Sequence, residues 1–248
     1  MSGHSKWSTI KRKKALVDAK KGKIFTKIAR EIMVAAKEGG ADPSGNPRLR
    51  LALVQARAAN MPRENQERAI KKGTGDGGTV TFEGFVYEGR GPQGSSFLIE
   101  GLTDNRNRTV AEIRMILSKG GGEMVTSGAI SWMFDRRGVI EIAKEAIAED
   151  ALMERALGAG AEDIQDWGGS WGVLCAPTDF AAVQGELSDL EPTAGIRYLI
   201  KPENEREIEG AAAISVAKLW SILDEHDDVQ ACYCNASLPD EVMEEYGP

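Results

Sequence analysis

Two groups of residues in this 248-residue chain have the types and spacing to do chemistry, and both would handle anions. The larger is a series of cations: Lys11, Arg12, Lys13 and Lys14, then Lys20, Lys21, Lys23, Lys27, Arg30 and Lys37, then Arg48 and Arg50. Residues 1–74 hold 18 Lys+Arg against 6 Asp+Glu, a charge of +12. Of whole-chain totals of 31 and 38, residues 75–248 keep 13 and 32, a charge of −19. A basic head on an acidic body is the sign of a polyanion partner for the head. Clustered Lys and Arg bind nucleic acid by releasing condensed counterions, without sequence readout. The plainer explanation is a solvated helical surface, but three cations per anion exceeds what solubility requires. The smaller group is Asn105-Arg106-Asn107-Arg108. Guanidiniums at Arg106 and Arg108, on a loop entering a helix, suit bidentate phosphate binding at the positive end of the helix dipole. Equally, Asn and Asp can make the turn while the two arginines pair with acidic neighbours.

Other chemistry finds little support. The only histidines are His4 and His226, and a nucleophile triad is not expected. Asp224-Glu225-His226-Asp227-Asp228 reads as a solvated helix end. Metal ligation there with Cys232 and Cys234 is the sharper alternative. Cys-x-Cys on a strand puts both thiols on one face without supplying four ligands, so core packing is expected. Gly73-Thr74-Gly75 and Gly89-Arg90-Gly91 lack the strand-to-helix setting of a dinucleotide fingerprint, and the Gly-rich joint at 74–78 has no phosphate-loop pattern. No catalytic residue, metal, cofactor or small-molecule substrate is expected, and the chain does not read as an enzyme.

The elements that must position the cations follow from periodicity. Phe25, Ile28, Ala29, Ile32, Ala35 and Ala36 share one face of a helix over 23–37, which places Lys23, Lys27, Arg30 and Lys37 opposite them. Reversing Lys23, Lys27 and Arg30 to Glu should then abolish polyanion binding and leave the fold intact. Residues 8–20 are helical in pattern but have a weak apolar stripe, and they read as an arm loosely docked or disordered until it meets a partner. Gly39-Gly40 ends the helix, Asn46-Pro47 opens a second with Leu49, Ala52, Leu53 and Ala56 as its stripe, and a third begins near Pro62. Trp7 is the one aromatic of the head that the stripe does not claim, and so the candidate for base stacking.

Past the joint, strands are expected over 79–88 and 97–102. A helix over 109–119 should follow, opened by a Thr109-x-x-Glu112 capping box. Strands at 130–134 and 139–142 would flank a turn at 135–138, with Arg136-Arg137 in that turn. From Val139 to Ile200 the order is β-α-β-β-α-β, that of a ferredoxin-like unit. The flanking pieces read the same way, with a strand near 198–208, a helix over 212–223 and a last strand over 229–235. The fold class is therefore α+β and multidomain, an N-terminal helical domain followed by two ferredoxin-like α+β domains, one inserted into the other. The divisions expected are 1–76, then 79–135 with 203–248, and 136–202 as the insert. Apolar residues at 42% and charged residues at 28% are ordinary for globular chains. The absence of an eighteen-residue apolar run, of a signal-peptide pattern and of a cysteine framework points to a cytoplasmic protein with no membrane contact.

Several longer motifs add a resemblance. Gly3-His4-Ser5-Lys6-Trp7, Gly22-Lys23-Ile24-Phe25-Thr26-Lys27 and Asn46-Pro47-Arg48-Leu49-Arg50 lie in the head. Tyr87-Glu88-Gly89 with Gly91-Pro92, Asp104-Asn105-Arg106-Asn107-Arg108-Thr109, Gly158-Ala159-Gly160-Ala161-Glu162-Asp163 and Asp227-Asp228-Val229-Gln230 lie in the body. Together they resemble, end to end, the YebC family, which includes the mitochondrial translational activator of cytochrome c oxidase. The resemblance implies three domains with the third set into the second, and non-enzymatic control of gene expression. Members are assigned as DNA-binding transcriptional regulators, and others look like factors that act on the ribosome during elongation. Where the family often has Val-Tyr-His-Asn, this chain has Cys232-Tyr233-Cys234-Asn235, so no histidine role carries over there. Three functions follow: a transcriptional regulator gripping DNA, a translation factor bound to ribosomal RNA on the ribosome, or a module whose basic head docks on an acidic protein. The head offers cations but no dimerisation element to set half-site spacing, which tilts the mechanism towards backbone or structured-RNA contact.

Overall fold

The structure, a computed structural model, describes residues 4–75 and 81–248, with the backbone alone for 4–21. Three helices come first: α1 (His4–Gly39), α2 (Pro47–Ala58) and α3 (Arg63–Gly73). Ile28, Ile32 and Ala35 of α1 meet Leu49, Ala52 and Ala56 of α2, with Met61 and with Ala69 of α3, in one small buried core. Asn46 ties this core together. Its side-chain oxygen accepts from Leu49 N at 3.0 Å and caps α2, while its amide donates to Ala35 O at 2.7 Å and Gly40 O at 2.9 Å. Gly40, at φ +86, makes the left-handed turn off α1 that lets the chain come back. The stretch 8–20, expected as a separate arm, continues α1 in backbone conformation. Trp7 and the side chains of Lys11 to Lys14, Lys20 and Lys21 lie outside the described residues, as does most of the expected joint at 74–78.

Four strands, β1 (Glu83–Arg90), β2 (Ser96–Thr103), β3 (Glu123–Val125) and β9 (Val229–Cys234), form an antiparallel sheet in the order β3-β1-β2-β9. Helices α4 (Arg106–Lys119) and α7 (Gly210–Asp224) cover one face. Phe97, Ile99, Ile113, Leu117, Val216, Leu219, Val229, Cys232 and Cys234 make the core there. Alternate residues of β2 point the other way, where Leu98 packs with Ile130, Phe134, Tyr198 and Tyr233. The second sheet, in the order β5-β6-β4-β7, is made of β4 (Phe134–Ala143), β5 (Ala161–Asp166), β6 (Ser170–Cys175) and β7 (Thr193–Ile200). With α5 (Glu149–Gly158) and α6 (Phe180–Glu186) it has the expected ferredoxin-like order. Strands β8 (Arg206–Glu207) and β10 (Ala236–Ser237) pair in parallel, and α8 (Asp240–Tyr246) closes the chain. A helical N-terminal region followed by antiparallel sheets with helices is the α+β class the sequence indicates.

Several element assignments change. The two strands expected around a turn at 135–138 are one strand, β4, which pairs with β7 without interruption from Phe134↔Ile200 to Glu141↔Thr193. Gly138 is there for close packing rather than turning, because a Cβ would collide with Cys175 and Phe180. Arg136 and Arg137 thus lie within a strand. Residues 130–133 do not form a strand. The buried Glu88 carboxylate accepts from Gly128 N and Ile130 N, each at 2.7 Å, and from Ser131 N at 3.1 Å, holding that segment as a loop and a short 3-10 turn. The strand expected near 198–208 is divided between β7 and β8, and β1 takes the remaining place in the first sheet. Helix α4 starts earlier than its expected capping box. Asn105 is the cap, accepting from Arg108 N at 3.1 Å, and Thr109 is buried one turn in.

Candidate nucleic-acid interface

The cations of the head divide into those that face the body and those that face solvent. Lys23, Lys27 and Arg30 recur along one side of α1, and that side lies against the end of α7 and the turn into β9. Lys23 Nζ is 2.9 Å from Glu225 Oε2, both half exposed. Lys27 Nζ donates to the Asp224 carbonyl at 2.6 Å, with the Asp224 carboxylate at 3.2 Å. Arg30 Nη1 donates to the Asp227 carbonyl and, at 2.8 Å, to Asp228 Oδ1. Three of the four cations opposite the apolar stripe therefore line an internal joint. The triple reversal to Glu would put three carboxylates against Asp224, Glu225 and Asp228, so it would disturb docking as well as any binding.

Asp228 is the centre of that joint. Its side chain is 2% exposed. Besides Arg30, it receives Arg108 Nη2 at 2.7 Å and Thr109 Oγ1 at 2.6 Å, both on Oδ2. Thr103 Oγ1 lies 2.7 Å from Thr109 Oγ1 and accepts from Asn105 N at 2.9 Å. A proton chain in which Thr103 donates to Thr109 and Thr109 to Asp228 satisfies every hydroxyl. Burial pushes the Asp228 carboxyl up, but the Thr109 and Arg108 hydrogen bonds and the charges of Arg30 and Arg108 hold it below the ordinary carboxylate range. His226 braces the turn, its Nδ1 accepting from Asp228 N at 3.1 Å and its Nε2 facing Glu112 Oε2 at 3.1 Å. Within the segment expected as a solvated terminus Asp228 is a buried anchor, because α1 and α4, far from it in sequence, deliver donors to its carboxylate.

Of the sequence-designated residues, Arg108 is thus committed to Asp228, with Asp104 at 2.9 Å and Glu112 at 3.9 Å beside it. Arg106 Nη1 sits 3.6 Å from Glu83 with both side chains half exposed. Arg48 bridges Glu31 at 2.7 Å and Glu38 at 2.6 Å. Lys37 is exposed and donates to Thr81 Oγ1 at 3.1 Å. Arg50 is exposed and makes no ion pair among the described residues, and the same holds for Arg57, Lys71 and Lys72, which the charge count includes without singling out. The two thiols at Cys232 and Cys234 point into the core of the first sheet, where burial pushes Cys234 up to about 12. Among the described residues no group of three or more His, Cys, Asp or Glu is placed to hold a metal ion, and no helix is long and apolar enough to cross a membrane.

The site is thus a basic three-helix head fastened by its own cations to an acidic α+β body. Residues 5–76 match the TACO1/YebC protein N-terminal domain and residues 82–236 match the TACO1/YebC second and third domain. The chain belongs to the TACO1/YebC family. It is 50% identical over 249 residues to a "Probable transcriptional regulatory protein" of Desulforapulum autotrophicum, covering 98% of this chain and 99% of that one. A protein of the same description from Rubrobacter xylanophilus is 47% identical, covering 99% of each chain. The crystal structure of the conserved hypothetical protein Aq1575 from Aquifex aeolicus superposes with a TM-score of 0.79 at 41% identity, covering 92% of this chain and 94% of that one. Both sequence relatives are named as probable transcriptional regulatory proteins.

Proposed function

We propose that the chain is a non-enzymatic, cytoplasmic regulator of gene expression that binds nucleic acid through its basic head, with the acidic body as a rigid mount. The observation that carries this is the division of the head's cations. Arg30, Lys27 and Lys23 hold the head to the body, while Arg50, Arg57, Lys71 and Lys72 remain exposed without carboxylate partners among the described residues. Lys11 to Lys14, Lys20 and Lys21 extend the same charge along α1. In this reading the chain works as three parts, 1–76, 79–135 with 203–248, and 136–202. Duplex DNA is the first candidate, since the relatives' names point to transcription. Ribosomal RNA is the second, favoured because the head offers cations but no dimerisation element to set half-site spacing on a duplex.

Both candidates are tested with the same protein. A salt-titrated duplex shift and co-sedimentation with ribosomes are measured for the native chain and for Arg50→Glu with Lys71→Glu. Binding that falls in the double variant supports the head as the site. Duplex binding that is sequence-blind and lost at moderate salt, with ribosome co-sedimentation kept, selects RNA. Native chain that binds neither refutes the proposal.

A further inference from the structure

Between α1 and α3 lies an open cleft of about 310 Å³, lined also by Phe82. That is the lower end of the roughly 300–1,000 Å³ range of small-ligand sites, the size for one nucleotide rather than a peptide. Two aromatic rings, Phe25 and Phe82, line it beside Met61. The half-buried Asn65 lines it too, and its side-chain amide has no hydrogen-bond partner among the described residues. Arg68 and Lys72 stand at the exposed side, and no carboxylate is among the residues that line it. The guanidinium of Arg30 sits 5.5 Å from the centroid of Phe82, and Arg30 is itself anchored on Asp228. The joint that docks the head therefore also sets the position of this ring.

We infer that this cleft takes an unstacked nucleobase of single-stranded RNA, with Phe82 as the stacking surface, Asn65 reading the base edge and Lys72 holding the adjoining phosphate. The inference rests on the nucleic-acid reading above and sharpens it. Each part of the cleft matches one part of a nucleotide. An aromatic face accepts any base by stacking, and an unengaged amide supplies both a donor and an acceptor. Arg68 is paired with Glu64 at 3.1 Å and Arg30 with Asp228, which leaves Lys72, with no carboxylate partner among the described residues, for the phosphate. A base inside a duplex is covered on both faces and cannot enter, whereas RNA loops, bulges and single strands offer bases that can.

The test uses the full chain and a fluorescein-labelled single-stranded RNA of about 12 nucleotides. A copy carries 2-aminopurine, and single-stranded and duplex DNA of the same sequence run alongside. Phe82→Leu keeps the apolar volume and removes the aromatic face. It should weaken the RNA about tenfold, the size of one lost base stack, remove the 2-aminopurine quenching and leave the duplex unchanged. Asn65→Ala, whose side chain holds nothing in the fold, should reduce RNA affinity several-fold with an unaltered thermal melt. Native chain that binds RNA and duplex while both variants match it overturns the cleft and leaves the head reading standing. Equal losses on duplex and RNA also overturn it, as does binding of the single-stranded DNA with the RNA refused. If the native chain binds none of the probes, the head reading falls and the cleft with it.

Discussion

Replacing Asp228 with Asn isolates the ionic joint, because the side chain keeps its size and loses only charge and one acceptor. In the native chain Oδ1 takes Arg30 at 2.8 Å and Oδ2 takes Arg108 at 2.7 Å and Thr109 at 2.6 Å. An amide must turn its NH₂ towards one of those donors, leaving either Arg30 or the Arg108–Thr109 pair without an acceptor. Arg30 is 15% exposed and Asp228 2%, so water can replace little of what is lost. Removing one partner of a buried pair costs about 3–5 kcal/mol, and the oxygen Asn retains places this change near about 3 kcal/mol. For a chain of this size that is a fall in melting temperature of roughly 6–12 °C. Urea unfolding at pH 7, followed by tryptophan fluorescence, measures it. Lys23→Gln is the control, since the half-exposed Lys23–Glu225 pair should contribute within about 0.5 kcal/mol. The pH dependence supplies the second readout. The Asp228 carboxyl is held below its ordinary 3.8, so the unfolded chain binds more protons in that window and the stabilisation is present above it. It is lost as pH falls through the folded value. The gap between native and Asp228→Asn proteins should be widest at neutral pH and close below about pH 4. A loss under about 1 kcal/mol, or a gap that stays constant down to pH 3, refutes the buried anchor.

Three further outcomes follow from single contacts. Asn46→Ala removes the α2 cap and the side-chain donor to the Ala35 and Gly40 carbonyls, so thermal unfolding should show a loss of about 1–2 kcal/mol. Gly101→Ala places a Cβ onto the Asp228 carbonyl and the Phe85 ring beside an irregular step in the β2–β9 register, and should cost about 2–3 kcal/mol in the same assay. Burial raises the Glu100 carboxyl despite the Tyr233 hydroxyl donating to it at 2.7 Å, so the charged form is disfavoured in the fold. Glu100→Gln should therefore raise the melting temperature at pH 7, with the gain fading as pH falls through the raised folded value towards 4.5, below which both states are protonated; a gain that grows on acidification would contradict this.

Much of the fold was legible because it depends on local rules. The 3.6-residue spacing of Ile28, Ile32 and Ala35, the Asn46-Pro47 helix start and the β-α-β-β-α-β order from Val139 are properties of neighbouring residues, and each is present in the structure. The errors came where a distant group decides a local conformation. Residues 130–133 carry a strand-like composition, yet the Glu88 carboxylate satisfies their backbone donors and keeps them out of the sheet. Gly138 looks like a turn glycine and is a packing glycine, because Cys175 and Phe180 occupy the space above it.

For the site, composition alone established that the head is cationic and the body anionic, since charge is counted without knowing where any side chain points. It could not say which cations are used up within the molecule. Lys23, Lys27 and Arg30 are spaced as an outward face whether or not something covers them, and only the fold brings residues 224–228 back, some two hundred positions later, to cover them. Burial then turns an ordinary aspartate into an anchor, because a carboxylate taken out of water must recruit donors from wherever the chain passes. Arg50, Arg57, Lys71 and Lys72 stay exposed because no acidic element returns to them among the described residues. Composition thus sets the sign of the head's charge, and the tertiary structure sets which of its cations stay exposed, because only the fold decides which acidic groups return to them.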